Sequence, residues 1–289
     1  MKLKKQTIAE LSILFITAVW GLSFVIIKDG TTEINPYYYN FIRFSLAGLL
    51  LLGCSYQKWS LINAEVIKKG FFVGLALSGG YIFQAIGIKY TTASNAAFIT
   101  NLAIVFVPLL LILIERHFPG PITVLGVIFS TIGLALLSLQ ENFSIQYGDL
   151  LVLICAICYS IHLILVNRYT KSFDTLIFTT FQILTVAVVS GLIGLGQEPV
   201  TLASLSALSA DFWLGVAILA LFGTAVAFFV QTWAQKFASL TRVTLLLALE
   251  PIFALVFAYL FLGEVFTLKE FIGTGMMLGG ILLIELKGA

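Results

Sequence analysis

The amino-acid sequence predicts an all-α polytopic membrane protein, with ten transmembrane helices arranged as two inverted five-helix repeats. Three observations carry that expectation. Of the 289 residues, 60% are apolar and 10% charged, with a mean hydropathy of +1.06, far from the composition of soluble domains. The apolar residues form continuous runs of about twenty instead of alternating runs of about ten, which selects membrane helices over a barrel. The second half of the chain also resembles the first.

The predicted spans are 8–28, 36–54, 70–88, 94–114, 121–139, 148–167, 175–195, 212–233, 240–262 and 267–286. Connections are short, and the longest, around 197–211, has no room for a soluble domain. Lys2, Lys4 and Lys5 before an apolar run resemble the start of a signal peptide. That run, however, carries Glu10 and leads directly into further spans, so it reads as an uncleaved first helix.

Basic residues orient the chain. With the N-terminus cytosolic, the inner segments hold Lys2, Lys4, Lys5, Lys58, Lys68, Lys69, Arg116, Arg168, Lys171, Lys236, Arg242 and Lys287. The outer segments hold only Lys28, Lys89 and Lys269. Both termini are therefore expected in the cytoplasm, with the chain crossing the membrane many times. The net charge of +2 follows from this topology, and a nucleic-acid partner is not expected. The three cysteines all fall within spans; Cys155 and Cys158 read as small apolar side chains of a helix, not as a redox or metal pair.

The repeat is legible at specific offsets. Trp20-Gly21 aligns with Tyr159-Ser160, and Arg43 with Gln182, both at 139. Gly74 matches Gly215 at 141; Lys89-Tyr90 matches Lys236-Phe237, and Gly126 and Gly133 match Gly273 and Gly280, at 147. The repeats are 1–140 and 141–289. Five crossings each, an odd number, send the second copy into the membrane from the opposite side. Inverted repeats around interrupted helices are a recurring design of secondary transporters, with a central site between the halves.

The residue around which the chemistry gathers is Glu250, followed by Pro251 in the run 240–262. At ~1.5 Å per residue it lies ~15 Å deep, near the bilayer midplane, where an ionised carboxylate costs roughly 2.5–3.5 kcal/mol. Pro251 is expected to bend the ninth helix, as Pro108 bends the fourth, making the two prolines corresponding hinges. Glu250 either pairs with a substrate ammonium or exchanges a proton; the structural alternative is a residue that steadies the bend.

Trp20 lies at mid-depth, as a packing residue or part of a cavity wall. Pro36-Tyr37-Tyr38-Tyr39 reads as an interfacial aromatic belt. Arg43 either snorkels as an anchor or binds a substrate carboxylate with its planar fork. Tyr81 and Gln84 share a helical face, as do Tyr159 and His162. Asn101 precedes Pro108 by two turns, and Gln182 is a further polar interior residue. The pairs Gly70/Gly74 and Gly275/Gly279 permit close helix contact, either internally or in a homodimer. No nucleotide loop, metal-spaced cluster or nucleophile with a matching base is present, so no cofactor is expected; the partners are the lipid bilayer and a small-molecule substrate.

Trp20-Gly21, Leu249-Glu250-Pro251 followed by Leu262-Gly263-Glu264, and the run Gly273 to Gly280 resemble the EamA-type branch of the drug/metabolite transporter superfamily. The resemblance spans the chain as two tandem five-helix repeats. It implies a ten-helix transporter, commonly bacterial and multi-pass in the inner (plasma) membrane, that moves amino acids or other small metabolites, often outward. Here Glu115-Arg116 stands roughly where Glu264 does, but Val107 precedes Pro108 where Glu250 precedes Pro251, so the intramembrane acid occurs once. The expected function is secondary transport, as an exporter, by alternating access; the alternatives are a membrane-embedded lipid-modifying enzyme and a non-transporting sensor or scaffold.

Overall fold

Continuous apolar sequence leaves the backbone no polar partner but itself, and the chain answers with helix. A computed structural model describes residues 2–91, 93–116, 118–138, 146–197, 201–262 and 267–287, and no strand occurs among them. The helices are α1 (Lys2–Glu33), α2 (Pro36–Cys54), α3 (Ala64–Ile88), α4 (Ala93–Asn101), α5 (Ala103–Glu115), α6 (Pro121–Ser138) and α7 (Tyr147–Tyr169). They continue as α8 (Thr175–Leu195), α9 (Leu202–Ser206), α10 (Ala210–Ile218), α11 (Ala227–Ala234), α12 (Leu240–Leu247), α13 (Glu250–Leu262) and α14 (Leu268–Lys287). A 3-10 turn, Tyr56–Leu61, follows α2, and a π-wound segment, Leu219–Val226, joins α10 to α11. Gly263 and Glu264 lie outside the described residues. Five stretches are long and apolar enough to cross a membrane: Ala64–Ile88, Tyr147–Tyr169, Thr175–Leu195, Ala210–Ala234 and Leu240–Phe257. Phe98–Ile114 and Pro121–Leu136 are shorter apolar helices, and together these describe a polytopic membrane protein.

Polar residues at the helix starts accept the free amides there. Asn35 accepts from Tyr37, with Pro36 opening α2; Asn63 accepts from Val66, Ser209 from Phe212, and Asp174 from Leu176 and Ile177. Asp174 also meets Lys58 Nζ at 2.8 Å. Burial pushes the Asp174 carboxyl up, but Lys58 and the amides of Ile177 and Leu176 outweigh it and hold it below the usual carboxylate range. Its stabilisation is therefore present above the ordinary pKa and disappears as pH falls through the depressed value. Asp174→Ala is expected to cost about 1 kcal/mol, nearly all from the cap because Lys58 is half exposed. Melting of the detergent-solubilised protein should show that loss at neutral pH, with wild type and variant converging in acid.

Equivalent helices of the two halves pack against each other, α6 on α14 and α2 on α8. A methyl built on Gly126 would meet Ile284 and the Gly280 carbonyl oxygen, whereas one on Gly133 would lie 2.5 Å from the Gly273 carbonyl oxygen. In α2 and α8, Gly48 faces Leu184 while Gly191 faces Phe41. Rising numbers on one helix meet falling numbers on its counterpart, so each crossing is antiparallel. The other packings also come in related pairs: α3 on α7 with α1 on α10 and α11, and α4 and α5 on α7 with α12 and α13 on α1.

Gly70 and Gly74 do permit close contact, with Phe181 and with the Gln182 carbonyl oxygen at 2.7 Å. Gly275 and Gly279 make no such contact within the chain: no atom of the described residues lies within 4 Å of a methyl on either, and the last helix meets α6 through Gly273 and Gly280 instead. Spacing by four places two glycines on one face without saying which face has a neighbour. The tyrosines at the start of α2 also depart from a simple belt, since Tyr39 is buried edge-on against Phe212 at 5.9 Å.

Both expected interruptions occur, but not where the prolines put them. The fourth predicted span breaks at Leu102 and the ninth at Ala248–Leu249. The Leu102 amide bonds to the Ile99 carbonyl and the Val105 and Phe106 amides to that of Leu102. The amides of Leu249, Ile252 and Phe253 make the same three bonds, to Leu246 and Leu249, at an offset of 147 throughout. Each break is thus a tight i→i−3 turn belonging to the repeat. Pro108 lies inside α5, six residues past its break, whereas Pro251 sits in the first turn of α13, where a missing amide is tolerated. The two prolines therefore do not stand at corresponding positions of the repeat.

Polar contacts mark the two ends of the bundle. At one, Arg242 pairs with Glu10 at 3.0 Å, Lys58 with Asp174, and Lys236 Nζ donates to the Phe173 carbonyl at 2.9 Å. At the other, Ser209 donates to Glu33, Thr91 to Asp149, and Tyr90 meets Tyr147 edge-on. Lys58, Lys236 and Arg242, which sequence placed on one side, do gather at one end, together with the N-terminal part of α1.

Candidate functional site

Between the two breaks lies a cavity of about 140 Å³. Trp20, Arg43, Tyr81, Gln84, Asn101, Tyr159, His162 and Glu250 line it, and Gln182 stands just behind. The cavity also takes Ser23, Thr100, Ala103, Phe228, Gln231, Thr244, Leu247 and Ala248, which sequence reasoning had not singled out. The repeat could have found several of them. Ser23 corresponds to His162 at the offset of Trp20 and Tyr159; Tyr81, Gln84, Thr100 and Asn101 correspond to Phe228, Gln231, Leu247 and Ala248 at 147. The cavity therefore straddles the pseudo-symmetry relation between the halves.

Among the described residues Arg43 is held without a carboxylate. It is 2% exposed; its Nε donates to Thr224 Oγ1 at 2.8 Å and its Nη2 to the Gly223 carbonyl at 3.2 Å. The guanidinium also lies 5.4 Å from the Phe44 ring centre and 5.9 Å from that of Tyr81, within cation–π range. Trp20 Nε1 donates to the same Gly223 carbonyl at 2.9 Å. That carbonyl belongs to the π-wound segment, and such local widening of a helix is frequent at functional sites. A methyl on Gly223 would stand 3.3 Å from Arg43 Nη2, so a larger residue would crowd the guanidinium.

The aromatic side chains pack edge-on where Phe44 meets Tyr81 at 4.7 Å and Tyr81 meets Tyr159 at 5.7 Å, whereas Trp20 is tilted on Phe228 at 5.5 Å. Tyr159 donates to Gln84 Oε1 at 3.3 Å. Gln182 Nε2 donates to the Phe178 carbonyl, which leaves its Oε1 to accept from His162 Nε2 at 3.1 Å. One imidazole nitrogen is thereby committed to a structural bond, and Gln182 orients His162 instead of lining the cavity itself.

Glu250 begins α13 directly after the break, where α1 packs closely against it at Gly21. A methyl on Gly21 would lie 2.9 Å from the Glu250 carbonyl oxygen and 3.0 Å from the Ala254 amide. Among the described residues the Glu250 carboxyl has neither a hydrogen-bond nor an ion-pair partner, and the described ion pairs are Lys58–Asp174 and Arg242–Glu10. Its counterpart at 147 is Ala103, also in the cavity wall, and not Val107. The backbone of the site is thus repeated while its chemistry is not: the second half supplies the acid and the first supplies Arg43. Thr100 Oγ1 and Gln231 Nε2 are buried there, likewise without a hydrogen-bond partner among the described residues. Each such group costs about 1–3 kcal/mol unless something satisfies it.

An antiparallel pair of repeated helical units enclosing a polar cavity within an apolar bundle defines a membrane transporter of the internally duplicated kind. The EamA-like transporter family matches residues 7–139 and again 146–286. The chain belongs to that family. It is 27% identical to a protein of Archaeoglobus fulgidus named as an uncharacterized transporter, over 98% of this chain and 87% of that one. It is likewise 27% identical to the uncharacterized transporter YdfC of Bacillus subtilis, over 98% and 93%. The WAT1-related protein At3g02690 of Arabidopsis thaliana, described as chloroplastic, is 27% identical over 92% of this chain and 66% of its own length. A solved crystal structure shares the fold with a TM-score of 0.81 at 17% identity, covering 98% of each chain.

Proposed function

We propose that the protein is a secondary, non-ATP-driven transporter of small zwitterionic metabolites, amino acids or related amphipathic compounds, working as an exporter in the inner membrane. In this reading ten helices cross the bilayer as inverted repeats, 1–140 and 141–289, with both termini in the cytoplasm. The halves alternate access to the central cavity. The observation that carries the substrate class is Arg43 and Glu250 in one cavity wall, each without a partner of opposite charge among the described residues. A solute bearing both a carboxylate and an ammonium satisfies both, and the aromatic wall accepts its apolar part.

The test is counterflow in liposomes loaded with an amino-acid mixture. Saturable exchange of at least one zwitterion, and none of the matching acid or amine alone, is the expected result; a protein inert toward every zwitterion sinks the reading. Arg43→Lys should raise the solute KM about tenfold, or about 1.4 kcal/mol, with the maximal rate little changed. Lysine keeps the charge but loses the planar fork that bonds Thr224 and Gly223 while facing Phe44 and Tyr81.

A further inference from the structure

The face of α11 that begins in the cavity wall at Gln231 stays polar beyond the cavity lining, to Gln235 at the helix end. Gln231, Thr232 and Gln235 are 2%, 1% and 1% exposed. Gln231 Nε2, Thr232 Oγ1 and Gln235 Oε1 have no hydrogen-bond partner among the described residues. Gln231 is in the cavity wall; Gln235 lies one turn further toward the end of the bundle that holds Lys236 and the N-terminal part of α1. Its Nε2 reaches only the Leu163 carbonyl of α7, at 3.4 Å. Polar groups buried unpaired in an apolar bundle are unfavourable, and a second state that wets them removes that penalty.

The first repeat shows the same positions differently covered. Gln231, Thr232 and Gln235 correspond at 147 to Gln84, Ala85 and Ile88, and Ile88 is 43% exposed. The end of α3 is therefore uncovered where the end of α11 is sealed. An ion pair joins two neighbouring helices at this end of the bundle. Arg242 of α12 meets Glu10 of α1, which Gln6 also bonds at 2.8 Å. At the offset of 139, Glu10 corresponds to Asp149, which accepts from Thr91 at the opposite end.

We propose that the α11 face carrying Gln231 and Gln235 lines the sealed half of the solute route, from the cavity to the end of the bundle bearing the N-terminus, and that the Glu10–Arg242 pair latches this half shut. The inference rests on the transporter reading and adds which path is closed and by what. Opening moves α1 away from α12, breaks the ion pair, and lets water and solute reach Gln235.

The experiment reads accessibility and needs no known solute. Cys54, Cys155 and Cys158 are replaced by Ala, Gln235→Cys is introduced, and a membrane-impermeant maleimide is applied to sealed vesicles of each orientation. Protease access to an N-terminal tag identifies the side. Labelling should be slow, and Arg242→Ala should speed it about fivefold or more, only from the side bearing the N-terminus. Exchanging the charges, Glu10→Arg with Arg242→Glu, should return it to the slow rate. If Arg242→Ala loses its monodisperse size-exclusion peak, Glu10→Gln replaces it with the same expectation. Labelling that ignores the pair, or that comes from the opposite side, overturns the proposal. Pair-dependent labelling in a protein that exchanges no zwitterion would leave the latch standing and remove the solute assignment.

Discussion

Glu250→Gln should lower transport by about 30-fold to several thousand-fold while leaving the protein folded. The range follows from the about 2–5 kcal/mol lost when one partner of a desolvated charge pair is removed. Glutamine has nearly the same volume, and the carboxyl makes no described hydrogen bond or ion pair that the substitution could break, so the break at Ala248–Leu249 and its backbone bonds should persist. Melting should be unchanged or slightly raised, because an acid in an apolar bundle is replaced by a neutral amide. Liposome exchange measured across a pH series makes the test sharper. If Glu250 takes up a proton during the cycle, the residual rate of the variant should no longer vary with pH. Unchanged rate and unchanged pH dependence would leave Glu250 only the task of steadying the break.

What sequence could foresee here follows from what a residue type decides locally. A carboxylate at mid-span is unfavourable wherever it stands, so Glu250 announced a site before its surroundings were known. The offset of 147 was visible in Gly126 and Gly273, and carried further along the chain it would have delivered Gln231, Phe228 and the Ala103–Glu250 correspondence. Proline was the weaker guide. It marks a missing amide, whereas the breaks are set by the turns at Leu102 and Leu249, which carry no sequence mark of their own. The π-wound segment was equally hidden: Leu219–Val226 reads as ordinary apolar helix, and its role is defined by Trp20 and Arg43, some two hundred residues earlier, which take the Gly223 carbonyl. Gln182 was misplaced for a related reason, since a polar side chain inside a span can serve a neighbouring imidazole and its own backbone as readily as a cavity.

The second large effect lies away from the cavity, at the crossing of α6 and α14. Gly133→Leu should destabilise the protein by about 1–3 kcal/mol or more, since the nearest atoms to a new Cβ are the Gly273 carbonyl oxygen at 2.5 Å and the Met277 amide at 2.7 Å. Backbone atoms cannot swing aside as a side-chain tip can, so the whole of α14 must shift. Gly280→Leu should fail in the same way, against the Gly126 carbonyl oxygen at 2.5 Å and Ser130, because antiparallel packing presents the equivalent contact to the other repeat. Combined, the two should cost less than their sum, since the first displacement already opens the crossing. Gly275→Leu, on the same helix but with no atom within 4 Å, should stay within about 0.5 kcal/mol of wild type. Melting of the three variants in detergent decides the matter; equal losses at Gly133 and Gly275 would mean that the crossing is not the stabilising contact. Neither α6 nor α14 contributes a described residue to the cavity wall. Whatever transport the Gly133 variant retains should therefore show the wild-type KM at a reduced amount of folded protein, in contrast to Arg43→Lys. That contrast would make the pair formed by α6 and α14 scaffold and leave the response to solute to the helices interrupted at Leu102 and Leu249 and those that flank them.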